Sequence, residues 1–105
     1  GETTLKYEKG YPPTVNAHPQ CVDVVNKACA KIVGASRSGL PQKTMGAEDF
    51  SYFLEERPGC FYFVGAGKLG EIRPHHKSIF DFDERAMLVS AGTFVQIVMD
   101  TLFEE

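Results

Sequence analysis

Cys60-Phe61-Tyr62-Phe63-Val64 is an unbroken apolar run, bounded by Pro58-Gly59 before it and Gly65-Ala66-Gly67 after it. A strand with one wet face alternates apolar and polar residues. A continuous run suits a strand covered on both faces, as in a parallel α/β sheet. Working outward, Glu48 to Glu56 reads as a helix with Phe50, Phe53 and Leu54 inward. Beyond the run, Asp83 is a good N-cap, and Leu88, Ala91, Val95, Val98 and Leu102 form the stripe of a final helix. Nearer the start, Asn16 to Pro19 is a helix entry, Cys21, Val24, Val25, Ala28 and Ile32 recur at helical spacing, and Gly34 is a natural stop. Residues 3 to 8 alternate loosely and suggest a strand, stopped by Gly10-Tyr11-Pro12-Pro13; Lys43-Thr44-Met45 suggests a short one. The order strand, helix, short strand, helix, buried strand, helix predicts an α/β fold, a helix-covered and mostly parallel sheet.

In such sheets ligands bind outside the carboxyl ends of the strands. Two loops qualify, Gly46-Ala47-Glu48-Asp49 after the short strand and Gly65 through His76 after the buried one, and both are expected on one sheet edge. Composition narrows the partners. With 105 residues and 43% hydrophobic residues, the chain is one domain at most and too apolar for disorder. Its net charge of −3 is spread without a basic stripe, which speaks against nucleic acid. No apolar run approaches the roughly 18 to 20 residues of a membrane span, so no membrane is expected. The first residues lack the charged and apolar regions of a signal peptide, and there is no initiator Met. Cys21, Cys29 and Cys60 cannot all pair within the chain; they read as buried thiols in a reducing compartment, hence a cytoplasmic location.

The segment His75-His76-Lys77-Ser78-Ile79-Phe80-Asp81-Phe82-Asp83-Glu84 carries the most chemistry. A neutral imidazole is the commonest protein metal ligand. Adjacent residues in extended chain point oppositely, so at most one of the two histidines easily reaches a given site. Asp81 and Asp83 either orient an imidazole or favour the positive end of the final helix. A hydrolytic zinc site needs about three or four protein ligands, and no H-x-x-x-H, H-E-x-x-H or C-x-x-C occurs. In Met45-Gly46-Ala47-Glu48-Asp49-Phe50, Gly46 permits a close backbone approach. The carboxylates there are also what a helix favours in its first turn. Gly65-Ala66-Gly67 and Gly70 satisfy the letters of a dinucleotide fingerprint but lead into Glu71-Ile72-Arg73-Pro74 rather than a helix. His18 reads as a solvated turn residue.

In their order, three blocks resemble the C-terminal part of the M20 metallopeptidases, in particular the amidohydrolase branch of hippurate hydrolases, aminoacylase-like enzymes and hydrolases of indoleacetic acid–amino acid conjugates. Tyr11-Pro12-Pro13-Thr14-Val15-Asn16 resembles the segment leaving the lid domain for the catalytic domain. Met45 to Ser51 resembles the family's G-x-E-D-F block. His76 to Glu84 resembles its H-x-P-x-[FY]-D-F-[ND]-[DE] block, with Ser78 where the family has Pro.

The resemblance implies a partial zinc-peptidase-like catalytic domain. Residues 1–10 would be the last strand of the lid, or dimerisation, domain, and 11–105 the C-terminal half of the catalytic domain. His76 would be a ligand of one of two divalent metal ions, Zn or Mn. Gly46, Ala47 and Glu48 would line the substrate end of the site, where an N-acyl amino acid or peptide is hydrolysed. The general base, the bridging ligand and the remaining ligands belong to the family's N-terminal half, so no catalytic residue is assigned here. The isolated chain is expected to be inactive and to hold metal weakly, and its parent to be a homo-oligomer. Two rival readings stand beside this one: a non-catalytic α/β interaction module, and a catalytic domain completed by another chain.

Overall fold

Three α-helices form where apolar spacing and stop signals place them: α1 (Pro19–Val33), α2 (Phe50–Glu56) and α3 (Arg85–Leu102). The computed structural model describes residues 1–103. Pro19 opens α1, where its missing N–H would have no helical partner in any case. Gly34 closes it, donating to the Ala30 carbonyl at 2.9 Å in a conformation, φ 85°, that side chains rarely adopt. A short 3-10 turn, Ala35–Arg37, follows.

Helices α1 and α3 pack together through small side chains. Val25 and Ala28 are buried on α1, and Thr93, 1% exposed, is buried on α3. The Ile32 Cδ1 atom lies 3.6 Å from where a Cβ would stand on Gly92. The Thr93 hydroxyl donates to the Val89 carbonyl one turn back, at 2.8 Å, which spares it the cost of being buried unpaired. Lys31 and Asp100 close the far end of the contact with a 2.8 Å ion pair.

The stripe expected to face inward on the last helix faces outward. Leu88 is 79% exposed, and Val95, Val98 and Leu102 are also exposed, while Val89, Ser90, Gly92, Thr93, Gln96 and Ile97 occupy the sheltered side. Helix α3 is apolar around most of its circumference, and its small residues permit the closest approach to α1. Phe53 is likewise exposed, leaving Leu54 as the buried anchor of α2.

The expected helix-covered parallel sheet is not formed. Among the described residues there is no strand. Residues 3–8 are exposed throughout, tied locally by a Lys6–Glu8 ion pair of 2.7 Å, and Met45 is fully exposed. The run 60–64 is an unpaired segment that touches two helices, but the expected cover on both faces is not formed: none of its residues is buried and Phe63 is 64% exposed. Phe61 meets Phe50 of α2 at 5.7 Å between ring centres, whereas Tyr62 meets Phe94 of α3 at 6.0 Å. In place of a neighbouring strand, the Asn16 side chain serves the Phe61 peptide. Its Nδ2 donates to the Phe61 carbonyl at 2.8 Å, and its Oδ1 accepts from the Phe61 N–H at 2.7 Å. An apolar run does not carry the ladder partner that makes a strand, nor the second layer that would cover it.

This arrangement leaves much surface open. The accessible area is 9332 Å², against about 5,800 Å² for a closed domain of this mass. The radius of gyration is 17.5 Å, against about 13 Å for a compact chain of similar length.

Two substitutions test the α1–α3 contact by urea unfolding of the protein. Gly92→Ala adds a Cβ at ordinary contact distance inside a helix and is expected to stabilise by about 0.5–1 kcal/mol. Ala28→Leu forces bulk into a filled position and is expected to cost about 1–3 kcal/mol. Equal midpoints for the two variants would contradict this packing.

Candidate functional site

The histidine segment hangs from the end of the 60–64 run and returns to the start of α3. Asp83 N–H donates to the Ala66 carbonyl at 2.7 Å, closing the loop at its base. Lys68 and Asp81 form an ion pair just inside that closure. Further out, Arg73 Nε pairs with Glu71 Oε2 at 2.6 Å, and Arg73 Nη1 donates to the Ile79 carbonyl at 3.2 Å. At the tip, Phe80 N–H donates to the Lys77 carbonyl at 3.0 Å. The His75 ring stands edge-on to Phe80 at 5.0 Å, and Phe80 stacks towards Phe82 at 6.1 Å.

The two histidines are thereby given different tasks. His75 packs, while His76 adopts φ 60°, the only non-glycine residue among those described with positive φ. A left-handed conformation costs an ordinary residue about 1–2 kcal/mol. The His76 side chain is exposed, and its recorded neighbour is the His75 ring at 6.3 Å; no hydrogen bond or ion pair engages the imidazole among the described residues.

At the base of the loop the carboxylates are committed. The Lys68 ammonium, with the Phe82 N–H, holds Asp81 below the usual carboxylate range. Asp83 is lowered further, to about 2, chiefly by the Arg85 side chain and then by the Arg85 N–H, which it accepts at 3.0 Å. Asp83 engages Arg85 at the start of α3, but the N-cap position expected for it falls on Glu84.

The second loop lies at the start of α2. Gly46 and Ala47 are exposed and Glu48 is half-buried. Glu48 Oε1 accepts from the Phe50 N–H at 3.3 Å, and its carbonyl accepts from Ser51 at 3.2 Å, so Glu48 is engaged in opening the helix. The expectation that both loops share one sheet edge is corrected together with the sheet. What links them is the run 60–64, which touches α2 through Phe61 and leads through Ala66 into the histidine loop.

The donor set fits one corner of a metal centre and does not complete one. Among the described residues no three His, Cys, Asp or Glu side chains are placed to hold an ion together. The cysteines do not alter this. All three are half-buried and unpaired, and burial pushes the Cys29 and Cys60 thiols up, with Cys21 and Cys29 adding to the effect at Cys60. The spacing of the sequence did not flag Asn16 or Arg73, whose partners lie on other segments or across a loop without periodicity. Nor did it mark Ser51, whose buried Oγ has no hydrogen-bond partner within the structure.

An exposed imidazole is chemically able to serve as a metal ligand. Residues 2–100 match the sequence profile of peptidase family M20/M25/M40, and the chain belongs to that family. Among curated relatives, it is 38% identical over 89 residues to YhaA of Bacillus subtilis, which carries an amidohydrolase name; the match covers 81% of this chain and 22% of that protein. It is 38% identical over 86 residues to thermostable carboxypeptidase 1 of Saccharolobus solfataricus, covering 80% and 21%. It is 33% identical over 89 residues to the IAA-amino acid hydrolase ILR1-like 6 of Arabidopsis thaliana, covering 83% and 19%. The chain thus spans about a fifth of the length of these relatives. No solved structure matches it. Among the described residues no helix is long and apolar enough to cross a membrane.

A carboxyl whose pKa is lowered by folding contributes stability above its unfolded value and loses it as pH falls through the folded one. For Asp83 that loss runs from an ordinary value of about 3.9 down to about 2. Carboxyl carbon shifts followed by NMR are expected to titrate near 2 for Asp83 in the wild type and to move up towards the ordinary value in Arg85→Ala. An unshifted titration in the variant would remove Arg85 as the cause.

Proposed function

We propose that these residues form the C-terminal half of the catalytic domain of a metal-dependent amidohydrolase or peptidase, residues 1–10 being the end of its lid domain. The substrate class is N-acyl amino acids or related amides. The reading rests on membership of the M20/M25/M40 family over residues 2–100, and on the hydrolase and carboxypeptidase names of the relatives. The observation that carries the site assignment is the disposition of His76, exposed on a braced loop with its imidazole unengaged.

In this proposal His76 supplies one ligand to a pair of divalent ions, zinc or manganese, and Gly46, Ala47 and Glu48 contribute to the substrate end. When bound, two such ions would supply Lewis-acid polarisation of the amide carbonyl and the lowering of a water's pKa that makes a nucleophile available at neutral pH. The chain's own part is to present one imidazole from a braced loop and to offer backbone N–H groups and small side chains beside the substrate. One imidazole does not assemble a binuclear centre, so the isolated chain is inactive and holds metal weakly. The remaining ligands and the general base come from an N-terminal half of the same enzyme, which we place in the cytoplasm as a homo-oligomer. The outward apolar face of α3, with Leu88, Val95 and Leu102 exposed, favours a part of a larger enzyme over a self-sufficient interaction module, which would avoid such a patch.

The test uses the full-length protein with N-acetyl amino acids and hippurate as substrates. His76→Ala is expected to lose one metal equivalent and at least ~100-fold in turnover, beyond the effect of removing an outer-shell partner. His75→Phe keeps the ring against Phe80 without a ligating nitrogen and should retain both metals and most activity. A fully metallated, active His76→Ala would end this assignment.

A further inference from the structure

The loop bearing His76 is closed by contacts in which the His76 side chain takes no part among the described residues. The Phe80 N–H to Lys77 carbonyl bond, 3.0 Å, makes Lys77–Phe80 a β-turn with Ser78 at its second position. That position favours proline, whose ring presets the needed φ and whose missing N–H is not called on by the turn. Serine brings no such restraint, so added rigidity in the turn comes from elsewhere. Arg73 does this from across the loop. Its Nη1 donates to the carbonyl of Ile79, the third residue of the turn, at 3.2 Å. The guanidinium is itself braced by Glu71 through the 2.6 Å bond at Nε. A planar fork held at one nitrogen directs its others with little freedom left.

His76 lies between Arg73 and the turn it clips, and its backbone has the left-handed φ of 60°. Such a conformation persists only where the surroundings over-determine it. Its own side chain makes no hydrogen bond that would hold it there among the described residues. His75 and His76 form the centre of a turn of their own, and the Arg73–Ile79 bond ties the residue just before that turn to the turn that follows it.

We propose that Arg73 is the positioning residue of this loop: braced by Glu71, it clips the Ile79 carbonyl, substitutes for a proline at Ser78, and keeps His76 in the conformation from which the imidazole is presented. The geometry stands on the contacts alone; the consequence for metal binding rests on the reading of His76 as a ligand. If the presenting conformation falls to a tenth of the population, apparent metal affinity at that corner falls about tenfold.

The experiment compares the full-length protein with Arg73→Ala, Ser78→Pro and the double variant Arg73→Ala/Ser78→Pro. Amide hydrogen exchange within residues 75–80, read at Phe80, whose N–H is bonded, and zinc retained after dialysis are followed in each, with circular dichroism as a check on the overall fold. Arg73→Ala is expected to speed exchange in that segment about tenfold and to weaken zinc retention by a similar factor, with the helical signal unchanged. Adding Ser78→Pro should return both readings towards wild type, which a general loss of stability would not permit. Unchanged exchange in Arg73→Ala, or no recovery in the double variant, overturns the proposal. If exchange follows the expected pattern while His76→Ala retains its full metal complement, the ligand reading fails and the role of Arg73 in shaping the loop stands.

Discussion

The carboxamide of Asn16 gives one hydrogen bond to the Phe61 peptide and takes one from it, at 2.8 and 2.7 Å. It meets both polar demands of that residue as a neighbouring strand would. Each bond contributes only about 0.5–1.5 kcal/mol net, but their placement organises the molecule. With Phe61 held, its ring meets Phe50 on α2, and Tyr62 turns the other way to meet Phe94 on α3. Tyr11, just upstream of Asn16, stands edge-on to Tyr52 of α2 at 5.8 Å. The segment entering α1, the short helix and the last helix are thus brought together around one peptide unit, and both candidate loops depart from that point.

The helices were legible in the sequence because their causes are local. Pro19, Gly34 and the spacing of Val25 and Ala28 act within a turn or two of one another. The sheet was not legible, because a strand is defined by a distant partner, and the 60–64 run has neither the ladder nor the two-sided cover its composition suggested. Periodicity also failed on α3, for a different reason. That helix is apolar on two faces, and the spacing of Leu88, Val95 and Leu102 cannot say that small residues at Gly92 and Thr93 will win the contact with α1 by allowing a closer approach. A helix apolar all round is one that a larger structure buries.

The candidate loops show the same division. That the histidine segment is a loop held at the start of a helix could be read from Asp83 and the glycines before it, and the structure forms the closure through Ala66. That His75 packs while His76 stands free could not be read, since the difference is made by a ring contact to Phe80 and a single backbone torsion. At the other loop, the tension between a substrate-facing Glu48 and one that opens a helix is visible in the structure as a bond to the Phe50 N–H.

The pairing of α1 with α3 also governs the order in which this part of the protein can be made. Lys31 and Asp100, joined across it, are 69 residues apart in sequence. Contacts at that separation carry a large loop-closure entropy before any packing is gained. A ribosome adding residues from the N-terminus finishes α1 well before α3 exists, so Val25 and Ala28 wait uncovered while the intervening loops emerge. The face that α1 shows in that interval is a natural point of contact for chaperones. Assembly of the two helices is then a late event, completed only when the last turn of α3 has left the exit tunnel.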